Sequence, residues 1–292
     1  MSQQDTLHRF LFDGGFVRGE LARLDATWLT VLEKRSYPKP VRNVLGELMA
    51  ASALLASTLK FQGSLIMQIR GNGPITLLVV ECNSNGTLRA TAKWRDELNG
   101  ESPKELFGNS QLVITIDPKQ GKERYQGIVN LQGDSISEAL ENYMLQSEQL
   151  DTRLWLASDN KQACGMLLQK LPQDHTIEDG DEWNRALHLA DTLTREELLE
   201  LDPSEIIRRL YHAETIRMLP SGILSFHCSC SRDRIVKALR MMGPDDLSSL
   251  IEEQGIVSVN CEFCSEHYEF DAVDVEQIFA ASSQVSAPSA RQ

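Results

Sequence analysis

The sequence predicts an α+β fold in which antiparallel sheets surround one largely buried helix, followed by a helical linker and a small C-terminal domain that contains clustered cysteines. Three observations predict it. Strand-like segments separated by turn residues occupy positions 64–94 and 111–131, and the segment 41–59 is apolar on most faces of a helix. Four of the six cysteines then lie in two short clusters near the C-terminus.

Residues 1–172 form the predicted core domain. It begins with a strand near residues 16–21 and continues with a helix whose first turn Asp25 can cap. The next helix, at about 41–59, carries apolar residues on nearly every face, so we expect it to be buried with sheet around it. We interpret Glu47 on this helix as a satisfied polar residue of the core.

The rest of the core domain alternates strands with turns. Clusters of Asn, Gly and Pro separate three strands between residues 64 and 94, and another hairpin spans 111–131. A polar loop is expected at 95–109. Ser135 begins a helix, and two further strands close the domain. Strands joined by such short turns pair antiparallel, which favours α+β over a parallel sheet.

Residues 173–225 are predicted to be an acidic helical linker. The segment 173–218 contains twelve acidic residues and five Lys or Arg. Thr194 opens a capping box, and Asp202 and Pro203 are typical of a second helix start. Because short helices are marginal in water, their Leu and Ile stripes need a surface to pack on. A solvated helical connector is the alternative interpretation of this segment.

The clustered cysteines are spaced as Cys228-x-Cys230 and Cys261-x-x-Cys264. Two tight turns of this kind supply four thiolates, which suits one tetrahedral Zn²⁺. A closed shell of four sulfurs leaves no position for water or substrate, which indicates a structural metal and not a hydrolytic centre. The same sulfurs can also close local disulfides once the metal leaves, so inert structural zinc and a redox role both remain open.

The metal ligands lie in a predicted zinc-binding domain at residues 226–280. His227 and His267 flank the clusters as rival ligands, although four sulfurs suffice. A domain of this size has little core, so we expect metal binding and folding to be coupled. The tail at 281–292 is small and polar and is predicted to be disordered.

Composition and charge exclude several classes of function. The net charge of −13 argues against nucleic acid as the main partner. The longest strongly apolar window, residues 48–59, is too short to span a bilayer, and no secretory signal is visible, so we expect a cytoplasmic protein that does not enter a membrane. In a reducing compartment clustered cysteines indicate metal or redox sites.

Cys82 and Cys164 stand alone, and we interpret Cys164 as a buried spectator.

Several local motifs together resemble one known family. They are the Phe-x-Cys-x-Cys-Ser-Arg-Asp-Arg run at Phe226–Arg234, the His-Tyr-x-Phe run at His267–Phe270, and the segments Val17–Leu21, Tyr37–Val41, Leu45–Leu48, Tyr125–Gly127, Ser147–Leu150 and Gly165–Gln169. This set is similar to the thirty-three-kilodalton heat-shock family of redox-regulated holdase chaperones, over nearly the whole chain. Asp151 departs from the family, which often has Pro there.

The resemblance implies a chaperone without enzymatic activity that prevents unfolding proteins from aggregating under oxidative stress and needs no ATP. It implies that Cys228, Cys230, Cys261 and Cys264 bind one Zn²⁺ per chain in a reduced, inactive state. Oxidation then forms the disulfides Cys228–Cys230 and Cys261–Cys264, zinc leaves, and the linker loosens and exposes apolar surface. A homodimer in the oxidised state and a hand-over of clients to ATP-dependent foldase chaperones are also implied.

Two other functions remain open from the residues alone. The chain could be a constitutive zinc-containing module that docks a partner through its acidic linker. It could also be a thiol–disulfide oxidoreductase that uses Cys261 and Cys264, although the spacing lacks the surrounding pattern of a thioredoxin-like site.

Overall fold

A computed structural model describes the backbone of residues 5–58, 62–95, 98, 100, 102–118, 123–131, 135–172 and 181–283. The chain divides into two compact units, Met1–His227 and Cys228–Gln292. The end of the tail predicted to be disordered, the start of the linker at 173–180 and the hairpin turn at 119–122 lie outside the described residues.

The first unit is built from groups of strands with helices between them. Its strands are β1 (Thr6–Phe12), β2 (Val17–Leu24), β3 (Gly63–Gly71), β4 (Ile75–Asn83), β5 (Thr87–Trp94), β6 (Ser110–Pro118), β7 (Tyr125–Asn130), β8 (Thr152–Ser158), β9 (Ala163–Lys170), β10 (Ile216–Ile223) and β11 (Ser225–Phe226). Its helices are α1 (Ala26–Lys34), α2 (Lys39–Thr58), α3 (Pro103–Phe107), α4 (Ile136–Ser147), α5 (Glu182–Ala190), α6 (Arg195–Glu200) and α7 (Pro203–Leu210).

These strands form two sheets. The five-stranded sheet has the order β10-β1-β2-β9-β8, and all of its neighbours pair antiparallel. The six-stranded sheet has the order β11-β5-β4-β3-β6-β7 and is antiparallel except for the two-residue pairing of β11 with β5. The predicted α+β class with antiparallel sheets is confirmed.

Helix α2 packs against strands of both sheets and is the buried helix that the sequence predicts. Its residues are buried almost without a break from Val44 to Ala56. The hydroxyl of Ser52 donates to the carbonyl oxygen of Leu48 at 2.8 Å, which satisfies the polar group inside the core. Glu47 is half-buried and lies 3.8 Å from the guanidinium of Arg195.

The start of the chain differs from the prediction in two ways. An additional strand, β1, precedes the expected one and pairs with it. Asp25 stands at the N-cap of α1 but makes no capping bond with its side chain. The carboxylate of Asp5 instead accepts the N–H groups of Asp25, Ala26 and Thr27, at 2.6, 2.9 and 2.6 Å, because β1 brings it to the free donors of the first turn.

The expected polar loop at 95–109 contains the short helix α3. Ser102 caps it, and Glu105 completes a capping box. The expected helix at Ser135 is confirmed, since the Ser135 hydroxyl accepts the N–H of Glu138.

The linker helices are also confirmed, including the capping box of Thr194 with Glu197 and the first-turn Pro203. The description of the whole linker as helical is wrong at residues 216–223, which form β10 at the edge of the five-stranded sheet. Pro220 and Gly222 disfavour a central strand, but an edge strand tolerates them because one side needs no ladder bonds.

Helices α5, α6 and α7 lie on the face of the five-stranded sheet that points away from α2. We call this the covered face. Its side chains join those of the helices in one buried cluster: Phe10, Phe12, Val17, Leu21, Ala157, Cys164, Met166, Leu168, Ala186, Ala190, Leu198, Leu199, Ile206, Ile207, Leu210 and Tyr211. The alternative of a solvated connector is therefore wrong for these helices.

The second unit contains α8 (Arg232–Met242), α9 (Pro244–Gln254), β12 (Val257–Asn260), β13 (His267–Phe270) and α10 (Ala272–Ser283). Ser231 caps α8, and Gly255 ends α9 in the left-handed conformation. Its buried apolar residues are Leu239, Leu247, Val257, Phe270, Val275 and Ile278. Among the described residues of the whole chain, no helix combines the length and apolarity that a membrane crossing requires.

Candidate metal centre

The four clustered cysteines come from two segments of the second unit. Cys228 and Cys230 lie just before α8, and Cys261 and Cys264 lie in the turn between β12 and β13. Two backbone hydrogen bonds shape this turn. The N–H of Cys261 donates to the carbonyl of Glu266 at 2.9 Å, and the N–H of Ser265 donates to the carbonyl of Cys261 at 2.8 Å. The turn therefore presents both sulfurs on one side.

The sulfur atoms of all four cysteines lie within 4.8 Å of one another. Cys228 Sγ is 3.7 Å from Cys261 Sγ, and Cys230 Sγ is 3.3 Å from Cys264 Sγ, with no disulfide between any of them. In a tetrahedral site with Zn–S bonds near 2.3 Å, neighbouring sulfurs are about 3.8 Å apart. The four residues therefore fit one tetrahedral ion, and an all-thiolate donor set favours zinc.

Burial raises the pKa of the Cys230 and Cys264 thiols, and Cys228 raises it further at both, although hydrogen bonds from Tyr268 and Cys264 partly offset the rise at Cys230. Four sulfurs at these distances do not all ionise by themselves near neutral pH, because each added charge opposes the next. A bound cation reverses this preference and keeps the thiols deprotonated. The cluster is thus suited to holding a metal ion in its thiolate form.

Groups around the cluster also hydrogen-bond to its sulfurs. The hydroxyl of Tyr268 on β13 donates to Cys230 Sγ at 3.3 Å.

His267, a rival ligand in the sequence, has both ring nitrogens within hydrogen-bond distance of side-chain oxygens, at 2.7 Å from Asn260 and 2.9 Å from Glu269. His227 belongs to the first unit, where its N–H donates to the carbonyl of Leu88. Neither histidine is part of the sulfur group.

The other two cysteines lie in the first unit and are buried, each with about 1% of its surface exposed. Burial raises the pKa of both thiols to about 12, so they remain protonated at neutral pH. Cys164 lies under the linker helices in the apolar cluster, so its expected burial is confirmed, and its role as a spectator stays a prediction. Cys82 lies in the main core.

The covered face is the feature of the fold that the sequence did not reveal. The Leu and Ile stripes of the linker were recognised, but their partner was not. The signal was present in Phe10 and Phe12, which project from the same side of β1 and are both fully buried. This alternation could not be interpreted from the sequence, because no local pattern indicates that residues 182–211 pack against β1.

Comparison with known proteins decides the family. The Hsp33 protein family model matches residues 5–271. The chain belongs to the Hsp33 family. The 33 kDa chaperonin of Methylobacillus flagellatus is 48% identical over 280 residues, covering 96% of each chain. That of Chromobacterium violaceum is 48% identical over 293 residues, covering 100% of this chain and 99% of its own.

The fold agrees with this family. A crystal structure of the 33 kDa chaperonin, or heat shock protein 33 homolog, from Thermotoga maritima superposes with a TM-score of 0.82. The match covers 97% of this chain and 100% of that chain at 21% identity. At this identity the comparison supports the fold alone. The resemblance seen in the sequence motifs is confirmed, and this Hsp33 chain is a member of a chaperone family.

Proposed function

We propose that this chain is a redox-regulated holdase chaperone that binds unfolding proteins under oxidative stress and keeps them from aggregating without ATP. One observation carries the proposal. The apolar covered face is screened by three short helices, and the same chain contains four cysteines whose sulfurs lie close enough to share one ion. A hidden apolar surface and an oxidisable cluster are the two parts that such a switch needs.

In the reduced state Cys228, Cys230, Cys261 and Cys264 would hold one Zn²⁺. The apolar core of their unit is small, with six buried residues among those described. A four-sulfur zinc site contributes on the order of 10 kcal/mol or more to folding, which is comparable with the whole stability of a small domain. Loss of the metal is therefore expected to unfold this unit.

Oxidation removes the ligands in pairs. The thiolates of Cys228 and Cys230, and those of Cys261 and Cys264, would each form one S–S bond and give up two electrons, while the two protons that the peroxide takes up come from water. A peroxide molecule that accepts one such pair is reduced to two molecules of water. Disulfide sulfurs are poor zinc ligands, so the four residues would no longer hold an ion once both pairs have formed.

The signal then has to reach the linker, and we propose that it travels along the chain. Cys228 directly follows His227, whose backbone is bonded to β5 together with the two-residue strand β11. Strand β10 precedes β11 and lies at the edge of the five-stranded sheet. Unfolding from the C-terminal side would first loosen these two edge pairings and then α7, α6 and α5.

The three linker helices are short, with nine, six and eight residues, and they depend on the sheet for their stability. Their release would expose the covered face, where Phe10, Phe12 and Leu21 are at most 1% accessible. An apolar surface of this kind can bind unfolded chains, and the acidic side chains of the linker would keep the complex in solution. Within this proposal residues 1–172, 173–225 and 226–280 act as core, linker and switch.

The partners follow from this scheme. Clients are unfolding proteins, the oxidised chain is expected to form a homodimer, and clients would pass to ATP-dependent foldase chaperones for refolding. No nucleotide is needed in the binding step, because oxidation and metal loss drive the release. The reduced form requires a compartment such as the cytoplasm, in which thiols persist.

A light-scattering assay tests the proposal. Zinc-loaded, reduced protein is compared with protein treated with peroxide under mild heat, while bound zinc and the aggregation of a denaturing client are both recorded. We expect zinc release and client protection to rise together. Full protection by the reduced protein, or oxidation that leaves zinc bound, would refute the switch. Repeated turnover of a dithiol substrate would favour an oxidoreductase instead.

A further inference from the structure

We infer that three core and linker residues, Arg23, Gln162 and Arg195, form a polar clasp that holds α6 on the covered face and sets how readily the linker is released. The inference rests on the proposed function and adds to it the site at which release is controlled. Apolar packing alone lets a helix slide on a sheet, whereas directed bonds to its ends fix its position.

The core side of the clasp is the turn between β8 and β9, which is held rigidly. The indole N–H of Trp28 donates to the carbonyl of Asp159 at 2.9 Å. The carboxylate of Asp159 accepts the backbone N–H groups of Lys161 and Gln162 at 2.7 and 2.8 Å. Ser158 donates from its hydroxyl to the carbonyl of Asn43 on α2 at 2.8 Å. Gln162 therefore projects from a fixed backbone.

At the C-terminal end of α6, the clasp satisfies two carbonyl oxygens. The side-chain amide of Gln162 donates to the carbonyl of Leu199, and a guanidinium N–H of Arg23 donates to the carbonyl of Leu201 at 3.0 Å. The last carbonyls of a helix have no partner within the helix, so these donors replace the missing bonds. Arg23 also places a positive charge at the negative end of the helix.

The two core side chains hold each other in place. Arg23 donates to the side-chain oxygen of Gln162, and its Nε lies 3.2 and 3.1 Å from the two carboxylate oxygens of Asp25. The side chains of Arg23 and Asp25 are only 13% and 20% exposed. Both donors are thus oriented before α6 arrives, which reduces the entropy lost on docking.

At the N-terminal end of α6, the clasp is closed from the linker side. Arg195 donates to the carbonyl of Ser158 in the same turn, and its guanidinium lies 3.8 Å from the carboxylate of Glu47 on α2. A helix of six residues thus has both ends bonded to one turn of the core. Since α6 contacts β8 and β9 and contributes Leu198 and Leu199 to the buried cluster, its departure would uncover that side of the covered face.

The test uses the full-length, reduced, zinc-loaded chain and measures amide hydrogen exchange segment by segment. Gln162→Leu removes both amide bonds, and Gln162→Glu keeps an acceptor for Arg23 but loses the donor to Leu199. Gln126→Leu is the matched control, because Gln126 on β7 bonds only to Thr115 among the contacts described. Zinc content and the exchange of β3 and β4 report whether each variant is folded.

We expect α6 amides to exchange about tenfold faster in both Gln162 variants, with zinc still bound and the six-stranded sheet still protected. Arg195→Met should act in the same direction, and the control should behave as the unmodified chain. Unchanged exchange in α6 for folded, zinc-loaded variants would overturn the clasp. Exchange is read without oxidant or client, so a failure of the proposed function in the light-scattering assay would be a separate result.

Discussion

The ring of Tyr211 meets the ring of Phe12 edge-on, with centroids 4.9 Å apart and planes inclined by 75°. Tyr211 is the C-cap of the last linker helix, and Phe12 ends the first strand of the core. This contact therefore joins the linker helices to the covered face. Phe10 approaches the same tyrosine at 5.7 Å. Aromatic pairs of this geometry add to the free energy of apolar burial.

Replacing Tyr211 by Ala is expected to weaken the packing of the linker helices on the covered face while leaving the metal site intact. The side chain is 2% exposed, and removing a buried aromatic residue costs about 3 kcal/mol or more. We expect the reduced, zinc-loaded variant to bind an apolar dye and to protect a denaturing client partly without oxidant. Tyr211→Phe keeps the ring packing and is the control, since it loses only a weak 3.4 Å bond to the carbonyl of Ala186. A variant that stays inactive until oxidised would show that this contact does not restrain the linker.

The hydroxyl of Tyr268 is expected to tune the metal centre through its 3.3 Å bond to Cys230. Partners that hydrogen-bond a metal ligand commonly change metal affinity by about tenfold or more. Tyr268→Phe should therefore lower zinc affinity by roughly this factor in competition with a chelator. Tyr125→Phe, at an exposed position on β7, is the control. Equal affinities of the two variants would contradict a role for the Tyr268 hydroxyl.

The isolated cysteines are expected to be dispensable for the switch. Cys82→Ala and Cys164→Ala, singly or together, should keep one zinc ion per chain and its release by peroxide. Because both thiols are buried, each substitution should lower the free energy of unfolding by about 1 kcal/mol. Cys261→Ala, by contrast, should abolish stable zinc binding. Zinc content and denaturant unfolding measure both effects, and loss of zinc from the Cys82 or Cys164 variants would place these residues in the mechanism.

The buried carboxyl of Glu20 on β2 predicts a pH dependence of stability. Burial raises its pKa to about 7, although the Ser57 hydroxyl and the charges of Arg18 and Arg9 partly offset the effect. The folded chain therefore keeps a proton on Glu20 where the unfolded chain has lost it. This stabilisation is fully present below about pH 4.5 and is lost as the pH rises through about 7.

The size of this effect is about 3 kcal/mol for one carboxyl group. Glu20→Gln should remove most of it, so that the variant gains stability relative to the unmodified chain at pH 8 but not at pH 4. Urea unfolding at the two pH values measures the difference. Glu33→Gln, on the exposed side of α1, should leave the pH profile unchanged. A profile for Glu20→Gln that parallels the unmodified chain would contradict the assignment.

The sequence predicted elements whose signals are local. These are the apolar faces of α2, the hairpins between β3 and β5, and the helix starts at Ser135 and Thr194, all of which depend on neighbouring residues. The four cysteines were also recognised as one group, because each pair lies within a short turn.

Features that depend on distant partners were not predictable in the same way. Strand β10 contains Pro220 and Gly222, and it is stable as a strand because β1, two hundred residues earlier, pairs with it. The cap of α1 comes from Asp5 and not from the adjacent Asp25 for the same reason. The clasp around Gln162 joins segments that no sequence spacing connects.

Hydrogen exchange of the linker before and after oxidation tests the central claim most directly. Amides of residues 182–211 are followed in the reduced, zinc-loaded chain and in the chain after peroxide has removed the metal. The account predicts that α5, α6 and α7 lose their protection on oxidation while β3 and β4 keep theirs. If the linker helices stay protected in protein that has lost its zinc, the covered face is not released by oxidation and the account is wrong.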